Sequence, residues 1–273
     1  MKTNPGRSED TKPSAAARLI VRLAAAITAP LREIEGEEHL PAQASGIIFV
    51  FNHNNYVETL VLAAWLLNRW SCSRIHFLVD WVFTRLPLIG PLIRITNPLP
   101  VYNKPSPVRF LERKRNRTAR APAVTRALDK LAQGGTVALF PEGTRNRNPD
   151  ILSRGRKGAA SLALQSQALI VPIGLRVKKK KPGIPVLNMK IGAPLLFRQE
   201  KNRYEHCLNP LPAARSRAKH IRLYLEKIVT HEIMRALAKL SGKHYPFPGP
   251  RDPTSIIHSK KKGTTCHTVQ YTR

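Results

Sequence analysis

The sequence is poor in cysteine, in aromatic residues and in acidic residues, and each shortage narrows the class of protein. Its 273 residues include three cysteines, Cys72, Cys207 and Cys266, which are widely spaced and odd in number. Such a set favours neither a disulfide framework nor a zinc site, and it suits a reducing compartment. Aromatic residues make up 6% of the chain, and neither zinc-finger spacing nor a helix-turn-helix pattern is present. A basic nucleic-acid-binding protein is therefore only the third hypothesis, and nucleic acid is not the expected partner.

The shortage of acidic residues leaves a large positive charge. There are 46 lysines and arginines against 17 aspartates and glutamates, which gives a net charge of +29. A partner of negative charge is therefore expected: a phospholipid surface, an acidic carrier protein, a phosphorylated substrate or nucleic acid. The basic residues are concentrated in three places: Arg109, Arg113, Lys114, Arg115, Arg117 and Arg120, then residues 178–181, then residues 260–262. These runs are either contacts to anionic lipid headgroups or solvated loops.

The chain also lacks a long uninterrupted hydrophobic run. The most apolar stretch near the start, residues 15–34, is broken by Arg18, Arg22, Pro30 and Arg32. Because Arg22 interrupts the apolar part and no cleavage site follows, the segment is not typical of a signal peptide. Leucines and isoleucines recur there at helical spacing, which predicts an amphipathic helix over residues 14–34. That helix either lies on an anionic bilayer or packs on its own domain.

Short apolar strands alternate with helical segments along the middle of the chain. Strands are predicted at residues 46–51, 75–79, 136–140, 169–173 and 186–191, and helices at 57–68, 123–133, 158–167 and 215–240. This alternation predicts an α/β fold with a mixed, mostly parallel sheet flanked by helices. Residues 1–13 and the basic tail at 241–273 are predicted to be disordered, which leaves 35–240 as the folded domain.

A histidine and a carboxylate follow the first predicted strand closely. Residues 52–58, Asn-His-Asn-Asn-Tyr-Val-Glu, are called the histidine motif below. A histidine of near-neutral pKa can take a proton from an alcohol, and a carboxylate that holds its other nitrogen stabilises the imidazolium. His53 and Glu58 therefore form a candidate base and orienting group. The alternative is a capped helix start beside a surface histidine.

A second cluster follows a later strand. Residues 140–145, Phe-Pro-Glu-Gly-Thr-Arg, are called the turn motif below. Gly143 allows the backbone to approach a ligand closely. Amides near Gly143 and Thr144, together with Glu142 and Arg145, form a candidate substrate-binding corner able to hold a phosphate. The alternative is a strand-ending turn in which Glu142 and Arg145 form an ion pair.

The two motifs, in this order, resemble signatures of the glycerolipid acyltransferase superfamily, which includes the 1-acylglycerol-3-phosphate acyltransferases. The histidine motif resembles Asn-His-x-x-x-x-Asp, and the turn motif matches Phe-Pro-Glu-Gly-Thr-Arg. Residues 86–94 with 100–104, and residues 170–174, resemble the two weaker signatures. The resemblance covers roughly residues 40–195, so that 35–240 is interpreted as an acyltransferase domain.

Two positions depart from the pattern of that superfamily. Glu58 stands where the superfamily has aspartate, and Asn103-Lys104 stands where an arginine usually closes the second signature. Lys104 can supply a point charge for the acceptor's phosphate, but it cannot form the two-pronged contact of arginine. A relative that binds acyl lipid or a carrier protein without turnover therefore remains an alternative hypothesis.

The resemblance implies an activity and a set of partners. An acyl group would pass from a thioester of coenzyme A or acyl carrier protein to a hydroxyl of a lysophospholipid-like acceptor, with His53 as the base. The thioester is a co-substrate, and neither a cofactor nor a metal is expected. The implied location is peripheral, on the cytoplasmic face of an anionic membrane.

Overall fold

One seven-stranded sheet organises the part of the chain that the structure describes. The structure is a computed structural model, and it describes residues 14–70, 75–85, 93, 97–102, 105–106, 109–113, 121–180 and 184–250. The strands are β1 (Arg32–Glu35), β2 (Ile47–Phe51), β3 (Ile75–Asp80), β4 (Leu99–Val101), β5 (Thr136–Leu139), β6 (Leu169–Lys180) and β7 (Ile184–Ile191). Their order is β1-β7-β6-β2-β5-β3-β4, with β6 and β7 antiparallel and the other neighbouring pairs parallel. The predicted mixed, mostly parallel sheet is confirmed.

Helices cover both faces of this sheet. They are α1 (Ala15–Ile27), α2 (Tyr56–Arg69), α3 (Arg109–Arg113), α4 (Ala123–Ala132), α5 (Gly158–Gln165), α6 (Arg198–His206) and α7 (Arg215–Ser241). Short 3₁₀ turns lie at Ala29–Leu31, Glu37–His39, Phe83–Arg85 and Pro212–Ala214. The described helices match the predicted α/β alternation, and the helices α3 and α6 were not predicted.

The strand β2 shows why its sequence is apolar throughout. All five of its residues are buried. Phe49 and Phe51 join one hydrophobic cluster with α2, whereas Ile48 and Val50 join a second cluster with α5 and α7. Successive side chains of a strand point to opposite faces, so a strand covered on both faces is apolar at every position. The histidine motif begins directly after this central strand, at the carboxyl end of β2.

The amphipathic helix α1 is shorter than predicted. The helix ends at Ile27, seven residues before the predicted end at residue 34. The residues that follow include the edge strand β1 (Arg32–Glu35), which is parallel to β7. The physical reason is Pro30, which has no amide hydrogen to donate to the preceding turn of an α-helix, and the chain continues there as the 3₁₀ turn Ala29–Leu31. Val21 and Ala25 are buried against the domain, while Leu19 and Ile27 are 58% and 72% exposed. The helix thus packs on its own domain and also presents an apolar outer face.

Within the described ranges, no helix combines the length and the apolar character needed to cross a membrane.

The prediction of disorder from Ser241 onward is wrong for residues 241–250. Ser241 ends α7, and Gly242 leaves the helix with a φ of +67°. The segment 242–250, called the C-terminal strap below, then pairs with the loop after the turn motif. The amide of His244 donates to Asp150 O at 2.7 Å, and the amide of Leu152 donates to His244 O at 2.8 Å. Backbone pairing fixes the strap, while residues 251–273 lie outside the described ranges.

Candidate active site

The histidine motif and the turn motif meet at one edge of the sheet. The strands β2 and β5 that precede them are parallel neighbours, with Ile48 opposite Val137 and Val50 opposite Leu139. The carboxyl ends of parallel neighbours lie at the same edge, which is where open α/β sheets bind their ligands. The sequence separates the two motifs widely, and the sheet brings them into contact.

Glu142 forms the direct link between the two motifs. One of its oxygens, Oε1, accepts the backbone amide of His53 at 2.9 Å, and the other, Oε2, accepts the amide of Ser153 at 2.8 Å. The side chain is 2% exposed. In addition, the amide of Asn146 donates to the carbonyl of His53 at 2.8 Å. Glu142 was predicted to bind substrate, but the structure occupies both of its oxygens with backbone amides, so that it holds the loop carrying His53.

His53 lies half-buried between the two motifs. Its ring stacks on Phe140 with a centroid separation of 4.2 Å and an interplanar angle of 26°. Its Nδ1 atom is buried and accepts or donates no hydrogen bond within the described part of the chain. Burial, and secondarily the positive charge of Arg145, lowers the pKa of His53 from 6.5 to about 4. The imidazole is therefore neutral at pH 7, the form that a proton acceptor needs.

Glu58 does not make the predicted contact with His53. Its carboxylate accepts the amides of Asn54 and Asn55 at 2.9 and 3.2 Å, and their side-chain Nδ2 groups at 2.7 and 3.2 Å. The amide of Glu58 donates in return to Asn55 Oδ1 at 3.0 Å, which completes a capping box at the start of α2. Burial is the largest influence and raises the pKa of Glu58, while these hydrogen bonds oppose it. Glu58 can therefore act on His53 only through the loop between them.

The turn motif exposes its central residues. Gly143 has a φ of +64°, a backbone region that favours glycine, and its amide donates to Phe140 O at 2.9 Å. Gly143 and Thr144 are exposed, and Arg145 is half-buried. A Cβ on Gly143 would collide with the side chain of Arg156, which lies over the turn. Arg156 was not predicted, because its sequence neighbourhood is a basic loop without a recognisable signature.

Two other residues complete the comparison with the sequence. Lys104, predicted to bind the acceptor, lies outside the described residues. Lys243, assigned to the disordered tail, is instead buried at the site, where its Nζ donates to Asn54 Oδ1 at 2.5 Å. No local pattern distinguishes it from the other lysines of a basic chain, so that sequence reasoning missed it.

A family model described as Acyltransferase matches residues 32–176. The matched segment covers a little over half of the chain and contains both motifs. The chain belongs to the acyltransferase family. The match begins at β1 and ends within β6, so the matched segment includes the edge strand that the sequence did not predict, and the C-terminal strap lies outside it.

Curated relatives in this acyltransferase family share about a quarter of their residues with the chain. A 1-acyl-sn-glycerol-3-phosphate acyltransferase of Borreliella burgdorferi is 26% identical over 142 residues, which are 52% of this chain and 50% of the relative. The chloroplastic 1-acyl-sn-glycerol-3-phosphate acyltransferase LPAT1 of Arabidopsis thaliana is 25% identical over 142 residues, or 35% of its length. The chain thus spans between about a third and a half of these relatives.

The chain also shows a partial similarity to a solved structure. That structure is the 1-acyl-sn-glycerophosphate (LPA) acyltransferase PlsC of Thermotoga maritima, at 17% identity and a TM-score of 0.47, with 83% of this chain and 81% of that chain covered.

Proposed function

We propose that the protein transfers an acyl group from a thioester to the hydroxyl of a lysophospholipid-like acceptor, with His53 as the general base. The observation that carries this proposal is the junction of the two motifs, where Glu142 and Asn146 hold the backbone of a neutral histidine within the family-matched segment. A base held at a fixed position is what proton removal from an alcohol requires.

The proposed reaction forms one C–O bond and breaks one C–S bond. As the acceptor's oxygen attacks the thioester carbonyl, its proton passes to His53. The tetrahedral intermediate then collapses, and His53 returns the proton to the departing thiolate. Because Nδ1 is buried on the protein side, Nε2 is the nitrogen proposed to meet the hydroxyl.

Several backbone amides of the two motifs already have partners. Those of His53, Asn54 and Asn55 donate to the two glutamates, and that of Gly143 donates within its turn. Thr144 is exposed, and the positive charge of Arg145 acts on His53. These two residues are proposed to meet the negative charge that develops on the carbonyl oxygen.

The acceptor's polar head is proposed to bind over the turn motif. The side chain of Arg156 lies over the exposed Gly143, and Arg145 follows Thr144 in the same turn. Arginine pairs readily with phosphate oxygens. The names of the curated relatives favour 1-acylglycerol-3-phosphate as the first acceptor to try. The proposed donor is acyl-CoA or acyl carrier protein, and the net charge of +29 suits either anionic partner.

Peripheral attachment to an anionic membrane is the second part of the proposal. The outer face of α1 exposes Leu19, Ile20, Leu23 and Ile27. Apolar side chains on a surface helix can insert at the lipid interface, and basic residues add attraction to the anionic lipids of a cytoplasmic leaflet. The proposed location is therefore the cytoplasmic face.

One observation favours a second candidate, a relative that binds acyl lipid or carrier protein without turnover. Nδ1 of His53 has no carboxylate partner among the described contacts, and a pKa of about 4 makes the imidazole a weaker base than an ordinary histidine. A single experiment separates the two functions. Purified protein is incubated with acyl-CoA or acyl-carrier-protein thioesters and a set of lysophospholipids, and the lipids are identified by mass spectrometry.

The proposed function predicts an acylated acceptor and an equal amount of free thiol. Retention of the acyl donor on the protein without any product would support the binding relative. Free thiol and free fatty acid without acylated lipid would contradict both candidates and indicate hydrolysis.

A further inference from the structure

Lys243 is a buried lysine beside the histidine motif, outside the segment that the family model matches. It is 7% exposed, and its Nζ donates to Asn54 Oδ1 at 2.5 Å and to Asn148 O at 2.8 Å. Asn54 belongs to the histidine motif, whereas Asn148 belongs to the loop after the turn motif. One ammonium group thus contacts both loops.

The surroundings of Lys243 compensate its burial with negative charge. Burial lowers the pKa of Lys243, and attraction from Glu142, Glu58 and Asp150 opposes that change, while the positive charge of Arg176 reinforces it. A lysine is rarely buried unless other groups offset its charge. Glu58 and Glu142, the two carboxylates at the junction of the motifs, offset the positive charge of the buried lysine. The lysine in turn offsets their negative charge.

Both contacts of Lys243 lead to the backbone of His53 within a few bonds. Asn54 directly follows His53, and it donates its amide and its Nδ2 to Glu58 at 2.9 and 2.7 Å. On the other side, the amide of Asn148 donates to Asn146 Oδ1 at 3.0 Å, and the amide of Asn146 donates to His53 O at 2.8 Å. A shift of either loop would therefore move the histidine.

The C-terminal strap holds Lys243 in place on both sides. Gly242 precedes it in left-handed backbone at the end of α7, and His244 follows it with two backbone hydrogen bonds to the loop 150–152. Farther along the strap, the ring of Tyr245 packs against those of Phe247 and His231. The lysine is thus presented to the site by ordered backbone.

We propose that Lys243 is a positioning residue for the acyl transfer: its ammonium group joins the histidine motif, which carries His53, to the loop after the turn motif, and it neutralises the charge of Glu58 and Glu142 buried there. The reaction named in this inference rests on the proposed function, while the joining of the loops does not.

The test compares Lys243→Met with a matched control, Lys239→Met. Lys239 lies in the last turn of α7 and is exposed. Because misplacement of a reacting group by about 1 Å can cost on the order of 100-fold in rate, we expect Lys243→Met to lower kcat by roughly 10- to 100-fold. KM should stay within about twofold, because the proposed acceptor site over the turn motif does not include the lysine. Lys239→Met should behave like the parent protein.

Amide hydrogen exchange provides a second readout that needs no activity. Peptides that cover residues 52–58 and 146–152 should exchange faster in Lys243→Met and at the parent rate in Lys239→Met. If Lys243→Met does not fold, Lys243→Arg provides the same two measurements, and we expect a loss because a planar guanidinium cannot occupy the place of a compact ammonium.

Unchanged exchange in both loops, or an unchanged kcat, in the folded variant overturns the proposal. A parent protein that transfers no acyl group overturns the proposed function instead. In that case, faster exchange confined to the two loops still supports Lys243 as the residue that positions them.

Discussion

Glu58 and Glu142 are both 2% exposed, yet they organise the site at different ranges along the chain. The partners of Glu58 are Asn54 and Asn55, at most four residues away. Glu142 instead accepts from His53, which lies 89 residues earlier, and from Ser153. Glu58 fixes the conformation of a single loop. Glu142 connects the loops that follow two different strands, β2 and β5. Loss of Glu142 should therefore separate the two motifs, whereas loss of Glu58 should alter only the conformation of the histidine motif.

The largest effect is expected from removing the base that both glutamates serve. We expect His53→Ala to lower acyl transfer by about 100-fold or more, because the proton acceptor is lost. Circular dichroism and the unfolding temperature should remain near the parent values, since the ring is half-buried and makes no hydrogen bond within the described structure. Near-normal turnover by a folded His53→Ala protein would show that His53 is not the base, and the two glutamates would then have no base to position.

Glu142→Gln is expected to have the next largest effect. An amide can accept from only one of the two backbone donors, and its NH₂ group would face the other, which costs roughly 1–3 kcal/mol for the donor left without a partner. We expect a lower unfolding temperature together with a roughly 100-fold lower kcat, because the motifs lose their link. The control is Glu232→Gln, which alters an exposed carboxylate on α7.

Glu58→Gln is expected to lower kcat by a smaller factor, about 10-fold. The amide oxygen of a glutamine can still accept the backbone amides of Asn54 and Asn55, so that only the two side-chain Nδ2 contacts within the same loop are lost. KM should hardly change, and Glu58→Asp should retain substantial activity. Measured kinetics that show equal losses for Glu58→Gln and Glu142→Gln would erase the distinction between a local and a long-range role.

The same distinction explains what could be predicted from the sequence. The capping pair of Asn55 and Glu58 is three residues apart, and the apolar strands before both motifs carry their own signals, so these parts follow from local pattern. The contact of Glu142 with His53 depends on the parallel pairing of β2 with β5, which no local pattern contains. The resemblance to the superfamily singled out Glu142 and His53 as site residues, but it does not show that they contact each other. Glu142 was therefore predicted to bind substrate.

Elements with weak local signals were missed for a related reason. The edge strand Arg32–Glu35 has three charged residues and only one apolar residue, Ile34, and the helix Arg198–His206 is almost entirely polar. Their positions depend on contacts with the rest of the domain, such as the pairing of β1 with β7. Lys243 belongs to the same class, since only the tertiary structure separates it from the other basic residues of the chain.

The smallest effect on the chemistry is expected from the outer face of α1. We expect the double substitution Leu23→Ser and Ile27→Ser to weaken co-sedimentation with anionic vesicles, because both side chains are exposed and apolar. Turnover of soluble short-chain substrates by the doubly substituted protein should be unchanged, because neither glutamate is disturbed.

Salt should weaken the binding of the parent protein to the same vesicles. Raising the salt from 0.1 to 1 M shortens the Debye length from about 10 to about 3 Å and should release much of the parent protein. Equal binding to neutral and anionic vesicles at every salt concentration would contradict the electrostatic part.

The central claim is that His53 acts as a base in the environment that the structure gives it, stacked on Phe140 and close to the charge of Arg145. The most direct measurement is the pH dependence of kcat/KM, which reports the pKa of essential groups in the free enzyme. Because the neutral imidazole is the active form and its pKa is lowered to about 4, activity should persist through pH 6 and fall only as the pH approaches 4. Circular dichroism over the same range would confirm that the protein stays folded. An acid limb near the ordinary histidine value of about 6.5, or none that depends on His53, would contradict the account.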